Sequence, residues 1–148
     1  MAFWDASAIV PLCCGQRYSK EADRLINLYS RMVVWWGTPV EIQAAFARLI
    51  REKEIETRQY QAAARRLSVA RDGWSEITPT ERVRELAERL PAQYRLRAAD
   101  AFQLAAALTW SNEKPRNRPF ISFDERLAAS ASDAGFEVIF HDYIETGP

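Results

Sequence analysis

Short apolar runs of strand length alternate along the chain with longer stretches in which apolar residues recur at helical spacing. Residues 2–5 and 7–12 bracket a short buried strand that breaks at Pro11. Further strands are predicted at 32–36, 74–77, 120–123 and 137–140. Between them a helix is predicted at 19–30, with Ser19 as its N-cap and Ala22, Leu25, Ile26 and Tyr29 on one face. A helical hairpin is predicted at 40–53 and 57–71, after a Gly37-Thr38-Pro39 turn. Thr78-Pro79-Thr80-Glu81 reads as a helix start, with Thr78 as the cap, and that helix is expected to stop at Pro91. Another runs from about Asp100 to Trp110, and the last spans 125–134 and closes at Gly135.

Strands that alternate with helices imply an α/β protein: a central parallel sheet of four to five strands, flanked by helices on both faces in three layers. A length of 148 residues fits a single domain spanning 1–148. The 20 basic and 20 acidic residues cancel, so composition alone does not point to nucleic acid. The basic set is lopsided, with 17 arginines and 3 lysines, and the arginine fork suits phosphate and carboxylate partners. Cys13 and Cys14 are the only cysteines and cannot build a disulfide framework, which fits a reducing compartment. No basic stretch precedes the first apolar run, and no run approaches the roughly 20 residues that cross a bilayer. A cytoplasmic protein is expected.

Four acids stand where chemistry is placed in such folds. Asp5 and Asp124 end apolar runs, while Glu41 and Asp100 open helices. Strand ends and helix starts gather on one edge of an open α/β sheet, where ligands bind. Taken singly, each acid has an ordinary structural role. Asp5 can cap a turn, Ser7 can cap a helix, and Glu41, Asp100 and Asp124 can complement helix dipoles. Gathered together they would repel one another. Two unit charges about 4 Å apart cost about 4 kcal/mol at an effective dielectric of about 20. Protons or hard divalent cations must then neutralise them.

The surrounding residues sharpen this reading. Asp5-Ala-Ser7-Ala, Glu41 followed by Ala45-Phe46, Arg97-x-x-Asp100-Ala-x-x-Leu-Ala-x-Ala-Leu108 and Ser122-x-Asp124-x-Arg-Leu-Ala resemble, in this order, the motifs of PIN-domain nucleases. The chain is most similar to the small VapC-type toxins of toxin–antitoxin pairs, and the resemblance runs from residue 2 to about residue 140. It implies a PIN-like fold and a metal-dependent endoribonuclease. It also implies a magnesium or manganese cofactor, tRNA or rRNA as substrate, a cognate antitoxin as partner, and a homodimer. Asp5, Glu41, Asp100 and Asp124 would be the catalytic, metal-binding set, with Ser7 and Ser122 in support. Two positions depart from the family pattern: Gln103 stands where histidine is common, and Ser122 where threonine is. Arg97, Arg116 and Arg118 are the expected phosphate contacts.

Other residues carry less. His141 is the only histidine, which excludes a histidine metal cluster. Of Trp35 and Trp36, one should be core and the other should pack on a partner or stack a base. Arg48, Arg51, Arg58, Arg65 and Arg66 alternate with Glu52, Glu54 and Glu56, which predicts an ion-paired, solvated helix face. A catalytically silent PIN-like module binding RNA or protein is the alternative function. Such modules lack one or more of the acids, and all four are present here.

Overall fold

The three central strands are buried on both faces, and the two-residue alternation of side chains divides the core into two layers. Ala2 and Trp4, Met32 and Val34, and Ile121 face one layer, whereas Phe3, Val33, Trp35 and Phe120 face the other. The computed structural model describes residues 1–15 and 17–139. These form β1 (Ala2–Trp4), α1 (Ala6–Cys13), α2 (Ser19–Leu28), β2 (Met32–Trp35), α3 (Thr38–Arg51), α4 (Thr57–Gly73) and β3 (Ser75–Ile77). The chain continues through α5 (Glu81–Tyr94), α6 (Ala98–Trp110), β4 (Pro119–Ile121), α7 (Glu125–Ala134) and β5 (Glu137–Ile139). All pairings are parallel and the strand order is β3-β2-β1-β4-β5. Helices α1 to α4 cover the first layer, and α5 to α7 cover the second. The three-layer α/β architecture expected from the sequence is therefore present. Phe140 and His141 lie outside the described residues.

Several local expectations are corrected. Residues 6–13 form a helix rather than the continuation of a strand. Asp5 caps it by accepting from the Ala8 amide, and Ala6, Ala8, Ile9, Val10 and Cys13 are all buried. A helix buried all round has no polar stripe, so its sequence reads like a core strand. Pro11 sits inside this helix and gives up one backbone bond, that to the Ser7 carbonyl. Thr38 and Pro39 begin α3 rather than precede it, since proline fits the first helical turn. Thr80, not Thr78, caps α5 through the Val83 amide. That helix continues past Pro91 to Tyr94, because Leu90 and Tyr94 pack against α6 and hold its last turn. The face around Arg51 and Arg58 forms no ion pairs among the described residues. Glu56 instead caps α4, and Arg66 donates to the Cys13 carbonyl at 2.9 Å.

Candidate active site

The chain turns back across the sheet beside β1, which has β2 on one side and β4 on the other. A crevice opens outside the strand ends at such a reversal. Asp5 follows β1 directly, and Ser122 and Asp124 follow β4. Glu41 lies in the first turn of α3 and Asp100 in the first turn of α6.

Asp5 is only 3% exposed, and three donors hold its carboxylate. Ser7 Oγ donates to Oδ1 at 2.7 Å, the Ala8 amide to Oδ1 at 3.2 Å, and Ser122 Oγ to Oδ2 at 2.9 Å. Each serine also accepts a backbone N–H from the β4 side: Phe123 to Ser7 at 2.9 Å and Asp124 to Ser122 at 3.1 Å. The two hydroxyls thus sew the end of β1 to the end of β4 and spend their protons on Asp5. Asp124 caps α7 by accepting from the Leu127 amide at 2.8 Å, which leaves its other oxygen available.

Glu41 is reached from the opposite layer. Gln103, buried in α6, donates through Nε2 to Glu41 Oε2 at 2.7 Å and to Thr38 Oγ1 at 2.9 Å. Its own Oε1 is buried without a partner among the described residues. The departure from histidine at this position therefore keeps a donor directed at the acid.

Electrostatics tie all four acids together. Burial pushes Asp5 up to about 7; its serine bonds oppose that rise, and the charges of Glu41 and Asp124 add to it. Glu41 is also raised to about 7 by burial, against the Gln103 bond and with a further push from Asp100. Asp100 is raised by burial and by Asp124, while Arg97 and Arg126 pull it down. The repulsions link Asp5 to Glu41 and Asp124, and Asp100 to Glu41 and Asp124.

This oxygen-only donor set suits a hard divalent cation. Among the described residues, no three histidine, cysteine or acidic side chains form a group able to hold an ion. A magnesium-like ion needs fewer protein ligands than that, since it is usually held by one or two carboxylates and completes its shell with water and a phosphate.

The structure separates the three expected arginines. Arg97 occupies the N-cap position of α6, beside Asp100. Arg116 and Arg118 lie in the loop that enters β4 from its other end, and the Arg118 guanidinium rests 5.3 Å from the centre of the Trp110 ring. Trp110 ends α6, about 15 Å along the helix from Asp100 at 1.5 Å per residue. These two arginines are remote from the acids, because closeness in sequence to β4 placed them at its entry rather than its exit. Arg126, in contrast, stands beside Asp100. Its signal was present in the sequence, two residues after Asp124 on the first turn of a helix.

Beside Glu41 lies an apolar hollow of about 550 Å³, lined chiefly by Trp35, Trp36, Val40, Pro79, Ala99 and Phe102. Trp35 is the core member of the tryptophan pair and stacks on Phe102 at 5.3 Å, whereas Trp36 is 54% exposed and Val40 73%. Gly37 is required here, since a Cβ would come within 2.5 Å of the Trp35 indole nitrogen.

A parallel sheet with acids at its reversal point defines the class: an α/β protein with carboxylates at its strand ends and helix starts. The chain belongs to the PIN domain family, whose model matches residues 2–132. No curated protein matches the sequence. Among solved structures, a chain of a toxin–antitoxin complex from Klebsiella pneumoniae aligns with a TM-score of 0.61 at 18% identity, over 84% of this chain and 87% of that one. PAE2754 from Pyrobaculum aerophilum aligns at 0.66 and 18% identity, over 97% and 85% of the two chains. A chain of VapBC2 from Rickettsia felis, solved with a DNA fragment from its promoter, aligns at 0.66 and 7% identity, over 94% and 97%. These likenesses establish the shared fold.

Proposed function

We propose that this protein is a metal-dependent endoribonuclease and the toxin of a toxin–antitoxin pair. The observation that carries the reading is the mutual repulsion of four acids placed after β1, after β4 and in the first turns of α3 and α6, two of them pushed up to about 7. PIN domains are in general nucleases, and two of the structural neighbours come from toxin–antitoxin complexes.

Asp5, Glu41, Asp100 and Asp124 would hold magnesium or manganese. The ion supplies charge neutralisation, a more acidic water and a stabilised leaving oxygen when bound. The chain's own residues set the geometry. Ser7 and Ser122 fix both oxygens of Asp5, and Gln103 fixes one oxygen of Glu41 from across the sheet. Arg97 and Arg126, beside Asp100, would meet the flanking phosphates of the RNA strand.

The test is cleavage of defined tRNA and rRNA by antitoxin-free protein, with manganese or magnesium set against EDTA. Asp100→Asn is expected to lower the rate by more than about a hundredfold, since loss of a mere supporting residue already costs up to that much. Cleavage that survives both EDTA and this substitution sinks the proposal.

The antitoxin, on this reading, lays an apolar segment into the hollow beside Glu41, covering Trp36 and Val40. Large exposed apolar residues grouped at one rim mark an interaction surface. Trp36→Glu should abolish co-purification with the antitoxin encoded beside the gene and leave RNA cleavage in place. Sedimentation of the free toxin then tests the homodimer.

A further inference from the structure

Two hollows adjoin along the outer side of α7. The first, of about 640 Å³, contains Asp100 and Asp124 together with Arg97, Glu125, Arg126 and Ala129. The second, of about 620 Å³, shares Arg126 and Ala129 with it and continues to Gln93, Tyr94, Arg95, Ser130 and Asp133. The two hollows meet at Arg126 and Ala129, and together they reach from Asp100 and Asp124 to the turn between α5 and α6.

Their cations are not used by the fold. The side chains of Arg95, Arg97 and Arg126 are exposed and form no ion pair or hydrogen bond within the described residues, whereas Arg82 and Arg84 of α5 pair with glutamates. Arg97 and Arg126 act on Asp100 through space only. Arg95 ends α5 in the left-handed conformation, with φ 56° and ψ 41°, where glycine is the unstrained choice. Arg95 lines the far hollow from this corner. Glu125 and Asp133 also line the hollows, so their charge is mixed and the cations are local contact points rather than a broad field. Tyr94 adds a half-buried ring to the far hollow.

We infer that Arg126 and Arg95, in line with Arg97, form a phosphate track that carries single-stranded RNA away from the acid cluster across α7, with Tyr94 placed to stack a base. The inference rests on the nuclease reading and gives the substrate strand its direction. Unpaired guanidiniums beside an aromatic ring are the usual means of holding a single strand without sequence preference. The acids would repel a strand lying directly over them, and the arginines offset that repulsion along these hollows.

The experiment measures anisotropy of a labelled, mixed-sequence single-stranded RNA of about 12 nucleotides, within the usual site size. It is run in EDTA, so that the strand is not cut, with potassium chloride from about 50 to about 200 mM. Arg126→Ala and Arg95→Gly should each reduce the slope of log affinity against log salt by about 0.7, the value for one phosphate contact on a single strand. Arg95→Gly should not lower the melting temperature, because glycine relieves the left-handed corner, so a weaker slope cannot be ascribed to misfolding. Arg116→Ala, remote from the acids, should leave the slope unchanged. If the wild-type protein binds this RNA and both variants keep its slope, the track is wrong while the nuclease reading stands. If the wild-type protein binds no RNA at any salt, both fall.

Discussion

Carboxylates occupy two opposite situations in this molecule. On the outer face of α5, Glu81, Glu85 and Glu88 pair with Arg84 or Arg82 on their own helix, and Glu113 reaches Arg82 from the end of α6. These groups are exposed, and Glu113 is held below its ordinary value by Arg82. At the strand ends the partners of Asp5 and Glu41 are hydroxyls and amides, and both acids are raised to about 7. Charge that the chain answers by itself makes a solvated scaffold. Charge that it buries and orients with neutral donors is, on the proposed function, what a cation from outside would answer.

The sharpest way to break this contrast is through pH. Asp5 and Glu41 sit near 7 when folded, against ordinary values of 3.8 and 4.5. Between those limits the folded chain binds more protons than the unfolded one, so metal-free stability falls as pH rises and the penalty is complete above 7. The swing is of the order of a few kcal/mol, since each tenfold change in proton affinity is worth about 1.4 kcal/mol. Melting in EDTA should therefore be lower at pH 8 than at pH 5, and magnesium should restore it at pH 8. Asp5→Asn should melt higher than the wild type at pH 8 in EDTA. A metal-free profile that is flat or rising across this window would erase the distinction. The lowered value of Glu113 does not interfere, because its contribution is lost only below its ordinary 4.5.

A smaller effect is expected at the neutral donors. Ser122→Ala removes the hydroxyl on Asp5 Oδ2 and the acceptor for the Asp124 amide. Metal affinity, measured by titration calorimetry, should fall about tenfold to a hundredfold, as for other residues that orient a metal-binding group. Ser122→Thr should retain it. The smallest effect belongs to the scaffold: Glu85→Ala should change neither melting temperature nor metal affinity, because exposed pairs contribute little.

The sheet, and the place of each acid at a strand end or in a first helical turn, were legible because their signals are local. A buried parallel strand is a continuous apolar run, and an acid that follows one lands at a strand end wherever the strand packs. Pro11 and Pro91 misled because proline's cost is local while the burial that outweighs it is not. Arg116 and Arg118 misled for a related reason, since distance along the chain does not tell the entry of a strand from its exit. Gln103 could be seen as a departure, but the pairing of its amide with Glu41 and Thr38 exists only once α3 and α6 face one another across the sheet.

The central place of β1 also bears on synthesis. β1 can pair with β2 early, but its other edge waits for β4, which ends at Ile121. Asp5 acquires Ser122 and Asp124 as neighbours only when the β1–β4 pairing closes, so a chain on which β4 has not yet been made has an incomplete set of acids. For a protein proposed to cut RNA, the order of the strands keeps the cutting centre latent until β4 and the start of α7 have been made.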